Sequence, residues 1–237
     1  SFQQKPVDLV VEELRAATAD MDTPFVEFAD DNTFVNKKWG KAFLRAIAPL
    51  GLKWFTETDI SVSDDPELLD LMREAGCRQI LIGLEGTSPA ELTGLDPHDW
   101  KARKADRYIE AIDRIQSRGI SVNGCFVLGL DTHTPDVFES VRDFIRRSGL
   151  LEAQITVLTP FPGTPLYTRL RNEKRLLAER FWDRCTLFDV NFHPKQMSVD
   201  DLEHGLRWLF AEIYNAAEFS RRRRLFMEIV KQRGHAA

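Results

Sequence analysis

The sequence is short of the features that usually narrow a function quickly. It has three cysteines in 237 residues, too few for a secreted disulfide scaffold and in keeping with a reducing, cytoplasmic setting. The five histidines, His98, His133, His193, His204 and His235, show no metal-ligand spacing. No stretch approaches the roughly 18 uninterrupted apolar residues of a membrane span, and the opening SFQQKP has no basic-then-apolar signal pattern. Excess positive charge is missing too. The 32 basic residues fall short of the 37 acidic ones, which argues against nucleic acid as a partner. Neither a GxGxxG loop nor a phosphate-binding P-loop occurs, which argues against classical dinucleotide or nucleotide-triphosphate sites. There is no low-complexity segment and no flexible linker.

What is there is a repeating α/β pattern in a chain long enough to bury a core without staples. Apolar positions at Val7, Val10, Val11 and Leu14 have helical spacing after Pro6. Strands are expected at 24–32, 52–62, 77–85, 120–131 and 153–165, and helices at 36–50, 66–75, 103–118 and 136–148. Gly51, Gly76, Gly119 and Gly149 close those helices. Single-helix crossovers of this length imply adjacent parallel strands. The pattern changes after Pro165, which divides the chain into an α/β domain at 1–165 and a helical extension at 166–237, with one or two helices over 197–232. A helix precedes the first strand and Ser1 is not a methionine, so a further strand and its loop are expected to lie before this segment in the parent protein.

In parallel α/β folds the site lies at the carboxyl ends of the strands. Here those ends read Asp30-Asp31-Asn32, Glu57-Thr58-Asp59, Gly83 to Ser88, Gly129-Leu130-Asp131 and Thr159 to Gly163. Solvated loops acquire single carboxylates by chance. Their recurrence on four of five strands points instead to a pocket for a small polar molecule bearing an amine or a ribose, because converging carboxylates repel without such a partner.

FADDN at 28–32, AGCRQILIGLE at 75–85, NGCFVLGLD at 123–131 and LTPFPGTPL at 158–166 occur in an order and spacing that resemble the radical S-adenosylmethionine enzymes, in particular the cobalamin-binding class. The tail resembles that class's C-terminal extension in RNEKRLLAERFWDR at 171–184 and FHPKQMS at 192–198. The resemblance implies a partial six-stranded (β/α) TIM-like barrel, of which residues 24–158 supply strands two to six. It also implies S-adenosylmethionine and a 4Fe-4S cluster as cofactors, with cobalamin as a further candidate. The implied reaction is reductive cleavage to a 5′-deoxyadenosyl radical, followed by methyl transfer, cyclisation or rearrangement of a small-molecule substrate. A flavodoxin- or ferredoxin-like reductant would supply the electron.

On matching positions, the resemblance puts Asp30 and Asp31, with Asn32 and Glu57 beside them, near the methionine end of the cofactor. Glu85 falls on its ribose hydroxyls, and Asn123, Gly124, Leu158 and Thr159 on its adenine side. Lys101, Arg103 and Lys104 are candidates for its carboxylate. Two departures stand out. Gly86 replaces the family's serine after the glutamate, leaving Ser88 as a substitute. The family's CxxxCxxC loop is absent, since Cys77, Cys125 and Cys185 are too far apart to form it; cluster ligands are therefore expected before this segment, as is a cobalamin-binding domain, and no metal ligand is assigned within it.

The cysteines, each flanking an apolar run, are expected to be buried small hydrophobes. Arg221 to Arg224 is expected to be a solvated helix face. Trp182, Phe188, Phe192, Trp208 and Phe210 are expected to pack the tail against the barrel or to wall a substrate. A non-radical barrel lyase and a non-catalytic binding domain stay open as alternatives.

Overall fold

The computed structural model describes residues 4–234; Ser1 and His235 lie outside them. Five parallel strands, β1 (Phe25–Phe28), β2 (Lys53–Thr58), β3 (Cys77–Glu85), β4 (Ser121–Leu128) and β5 (Glu152–Val157), pair in the order of the chain. Sequential parallel order with a helix in each crossover is the arrangement of a partial (β/α) barrel. The helices of the α/β part are α1 (Val7–Thr18), α2 (Lys37–Ile47), α3 (Pro66–Glu74), α4 (Pro89–Leu92), α5 (Trp100–Ala105), α6 (Tyr108–Gln116) and α7 (Val137–Ser148).

The strands alternate as the pleat requires. Trp54, Thr56, Ile80, Ile82, Leu84, Val122, Phe126 and Leu128 are buried towards the helices, while Phe55, Glu57, Leu81, Gly83, Glu85, Asn123 and Cys125 are half-buried on the concave inner face. The helical side of the core is closed by Leu44, Ile47, Leu68, Met72, Ile112, Ile115 and Ile145. Gly76 closes α3 with φ +93°, and a Cβ there would stand 1.9 Å from the Leu52 carbonyl oxygen. Only glycine satisfies both conditions.

Several elements are shorter than the sequence implies. The strand expected over 52–62 stops at Thr58, because the Asp59 carboxylate accepts the Ser61 amide at 2.7 Å and turns the chain into a 3-10 helix, Ile60–Asp64, that buries Ile60 and Val62. The helix expected over 103–118 is two, α5 and α6. The break lets Tyr108 go under the sheet, where its hydroxyl reaches the Leu84 carbonyl.

The tail holds α8 (Pro165–Asn172), α9 (Val199–Ile213) and α10 (Ala216–Gly234). Ser198 and Asp201 form a capping box that starts α9. Asn215 interrupts the helical run by accepting the Glu218 amide at 2.9 Å, which starts α10. Helix α9 lies so close to α7 that a Cβ on Gly205 would stand 2.1 Å from the Phe138 ring.

The tail overturns one expectation and divides another. Arg222 is 2% exposed rather than solvated; it donates to the carbonyls of Leu151 and Ile213 at 3.0 and 2.8 Å, two acceptors that compensate its burial. Of the aromatic set, Phe192 is fully buried, but Trp182 and Phe188 are each more than half exposed. Phe188 meets the half-buried Phe210 edge-on. Among the described residues no helix is long and apolar enough to cross a membrane.

Candidate active site

Glu85 ends β3 with φ +66°, a left-handed conformation that side chains rarely adopt. The β3–β4 register shifts at the same point, between Gly83 and Glu85. The turn folds the carboxylate back along its own strand, over Gly83, where a Cβ would stand 2.6 Å from Glu85 Oε1. Lys101, at the start of α5, reaches the same spot: its Nζ donates to Glu85 Oε1 at 2.6 Å and to the Gly83 carbonyl at 3.1 Å. Both side chains are about four-fifths buried, with relative exposures of 23% and 21%.

Next to this pair on β4 are Asn123 and Cys125. Asn123 Oδ1 is buried and has no hydrogen-bond partner, an energetically costly state for an amide oxygen. The Cys125 thiol is pushed up to about 11, first by burial and then by the Glu85 charge, with Lys101 opposing and Glu57 adding to it. Strand alternation puts Glu57, Glu85, Asn123 and Cys125 on the same inner face, and Lys101 reaches Glu85 there from α5. Cys125 thus departs from the expectation of three buried cysteines. Cys77 meets that expectation, and burial raises its thiol well above the ordinary range; Cys185 is half-buried.

The other sequence candidates divide. Asp30 and Asp31 are exposed at the end of β1, and Asp30 and Asn32 line one end of a groove of about 520 Å³ that runs along β1 beside α1 and α2. Asn32 donates to Asp59 at 2.7 Å and accepts from Thr58 at 3.1 Å. The Glu57 side chain is half-buried on the inner face with no hydrogen-bond or ion-pair partner among the described residues, while its backbone carbonyl accepts the Thr33 amide at 3.2 Å. Gly124 faces the helices, where Leu150 and Leu84 crowd it. Neighbours on a strand point to opposite faces, so Asn123 and Gly124 do not share the inner one. The Thr159 hydroxyl donates to the backbone carbonyls of Val157 and Thr186, and Leu158 packs on the edge of the core.

Ser88 caps α4 by accepting the Glu91 amide, and its hydroxyl donates to Glu91 Oε1 at 3.0 Å. The glycine at 86 has a local cause: a Cβ there would stand 2.8 Å from Glu91 Oε2. Of the three basic candidates, Lys101 is on Glu85 and Lys104 is on Asp64 at 2.7 Å.

Asp131 is not part of the inner space. Arg169, Arg175 and Lys195, all from the tail, converge on it. Burial alone would raise its carboxyl, but the hydrogen bonds from these three cations hold it at about 2. It is a latch between barrel and tail, and its place in the run of strand-end carboxylates has a structural cause.

The family model of the radical SAM superfamily matches residues 1–145. The chain belongs to the radical SAM superfamily. A second model, a domain of unknown function (DUF4070), matches residues 164–237. Among curated relatives, this radical SAM chain is 26% identical over 224 residues to bacteriochlorophyllide d C-12(1)-methyltransferase of Chlorobaculum tepidum, covering 94% of this chain and 48% of that protein. It is 33% identical over 161 residues to the hopanoid C-2 methylase of Rhodopseudomonas palustris, covering 65% and 30%. The chain therefore spans half or less of the length of these relatives. A solved structure of TsrM from Kitasatospora setae, a radical S-adenosylmethionine methyltransferase with cobalamin and a 4Fe-4S cluster bound, superposes with a TM-score of 0.67 at 20% identity. The match covers 91% of this chain and 47% of that one, and it bears out the partial barrel.

Lys101 on Glu85 and the inward Cys125 are the parts of the site that sequence reasoning missed or misplaced. Cys125 was within reach, because it lies two residues from Asn123 and so on the same face. The fold-back of Glu85 had no such signal, since it depends on a positive φ at a non-glycine residue.

Proposed function

We propose that this chain forms the S-adenosylmethionine-holding part of a radical enzyme that methylates or cyclises a small molecule, with Glu85 on the ribose hydroxyls and Asn123 on the adenine. The observation that carries the reading is the Glu85 carboxylate. Its Oε1 accepts from Lys101, its Oε2 has no hydrogen bond among the described residues, and it shares the inner face with an unpartnered Asn123 amide oxygen. A carboxylate oxygen suits a hydroxyl pair as a double acceptor, and an unsatisfied amide oxygen suits the exocyclic amine of adenine. The exposed Asp30 and Asp31 at the end of β1, with Glu57 inward beside them, suit the methionine ammonium. When bound, S-adenosylmethionine supplies the carbon chemistry. The chain's own residues orient it, and the acid-lined space gives its positive charge a favourable site.

The residues present do not fit a 4Fe-4S cluster. The three cysteines are dispersed, and among the described residues no three His, Cys, Asp or Glu side chains are grouped to hold a metal ion. Cobalamin enters through the relatives alone, and no residue of this chain is assigned to it. Dependence on a flavodoxin- or ferredoxin-like reductant, a cytoplasmic setting and independence from nucleic acid belong to the same proposal. So does the division into a barrel part to residue 165 and an extension from 166.

Calorimetric titration with S-adenosylhomocysteine tests the binding role. The chain should bind, and Glu85→Gln should weaken binding at least about tenfold, the loss expected when a charged acceptor becomes neutral. No binding at millimolar ligand, or an unchanged Glu85→Gln, overturns the assignment. A non-catalytic binding domain is the second reading, favoured by the dispersed cysteines. Sequencing the reading frame before Ser1 separates the two, since a CxxxCxxC triplet there carries the catalytic reading and its absence carries the other.

A further inference from the structure

Lys101 lies outside the five strands, and the ribose assignment does not itself require it. Three independent features converge on its ammonium group. The Glu85 backbone takes a left-handed turn that aims the carboxylate back along β3. Position 83 is a glycine, and a Cβ there would come within 2.6 Å of Glu85 Oε1 and 3.3 Å of Lys101 Nζ. The Gly83 carbonyl then accepts from the same ammonium at 3.1 Å. The strand is thus shaped to seat a carboxylate–ammonium pair, and Tyr108, hydrogen-bonded to the carbonyls of both Leu84 and Lys101, ties the two halves of that seat together.

Chemistry explains why such a seat is useful. Glu57 lies on the same inner face of the sheet, and a glutamate has three rotatable bonds with which to swing away. A partly buried carboxylate with one oxygen pinned keeps its other oxygen in a fixed place, so less ordering is left to be done when a ligand arrives. We propose that Lys101 is a positioning residue: it pins Glu85 Oε1 so that Oε2 is presented to a vicinal diol, making the site selective for an intact ribose. The inference rests on Glu85 being the ribose residue. It differs from placing Lys101 on the cofactor's carboxylate, since here the lysine touches the protein and not the ligand.

The test compares adenosine with 2′,3′-dideoxyadenosine, binding each to the full chain by calorimetry. The unmodified chain should prefer adenosine by about tenfold or more, the discrimination expected of a site built around a substrate hydroxyl. Lys101→Met keeps the buried stem but removes the pin; it should cut that preference to within about threefold while leaving dideoxyadenosine affinity unchanged. Lys101→Arg should restore the preference. Gly83→Ala should resemble Lys101→Met, because the added methyl group meets only the ends of flexible side chains and displaces them without unfolding the strand. A merely structural lysine would weaken both ligands alike, and that outcome overturns the inference. If Glu85→Gln abolishes the preference while Lys101→Met retains it, the positioning role falls and the ribose assignment stands. If the unmodified chain shows no preference for the intact ribose, both fall.

Discussion

The ends of β3 and β4 carry the same kind of residue and use it in opposite ways. Glu85 meets one cation, which takes one oxygen and leaves the other. Asp131 meets three, which take both: Arg175 binds Oδ1, and Arg169 and Lys195 bind Oδ2. The tail supplies all three cations around Asp131, whereas the single cation on Glu85 comes from the crossover of its own strand. A carboxylate at a strand end is therefore a ligand candidate only where its protein partners leave some capacity over. Counting acidic residues at strand ends does not reveal this.

The comparison breaks most readily at Asp131. Its carboxyl sits at about 2 against an ordinary 3.8, and its side chain is only 25% exposed. The lowered value means that the latch contributes stability above pH 4 and loses it as the pH falls towards 2. The shift corresponds to about 2 kcal/mol. Asp131→Asn should cost about that much in urea unfolding at pH 7 and should flatten the stability profile between pH 4 and 2. A neutral variant would mean that the three cations are adequately solvated without the carboxylate.

A smaller effect is expected two residues further on. His133 is 2% exposed, neither ring nitrogen has a partner, and burial lowers its basicity below the ordinary 6.5. A folded state that resists protonation is most stable above pH 6.5 and weakens as the pH falls below it. His133→Gln should remove that dependence while leaving the lower window, set by Asp131, in place. One merged transition in both variants would show that the loop after β4 titrates as a unit.

The smallest effect should be at Glu85. Glu85→Gln should change unfolding stability by less than Asp131→Asn does, because one cation meets this carboxylate rather than three and the amide oxygen can still accept from Lys101. A loss matching that of Asp131→Asn would make Glu85 a second latch and would remove the contrast between the two strand ends.

The frame of the fold was legible because its signals are local. Alternating apolar residues, helix-closing glycines and a proline in the first turn at Pro66 each act over a few residues, and they place β2, α3, β3 and α7 to within a few positions. The site was only half legible. Glu85 and Asn123 could be read from strand ends and a family resemblance. The partners of Asp131, however, lie 38 to 64 residues away in sequence, and no local pattern announces an ion pair across that distance. Arg222 was misread for a related reason. Four arginines in a row look alike, and only the two carbonyls waiting beneath α10 decide that one of them turns inward.

Arg222 also bears on the order in which the molecule assembles. It joins α10 to the Leu151 carbonyl across 71 residues, one of the longest sequence separations in the structure, so its loop closes late. During synthesis the five strands are complete well before residue 222 leaves the ribosome. For that interval the start of β5 waits without the guanidinium that will occupy its carbonyl, and the Asp131 latch has likewise to wait for Arg169, Arg175 and Lys195. The sheet must therefore hold its shape unaided before its cover arrives, and a chaperone that binds half-finished barrels would find this one exposed at its tail side for the length of time it takes to add roughly 70 residues, on the order of 4 to 14 seconds.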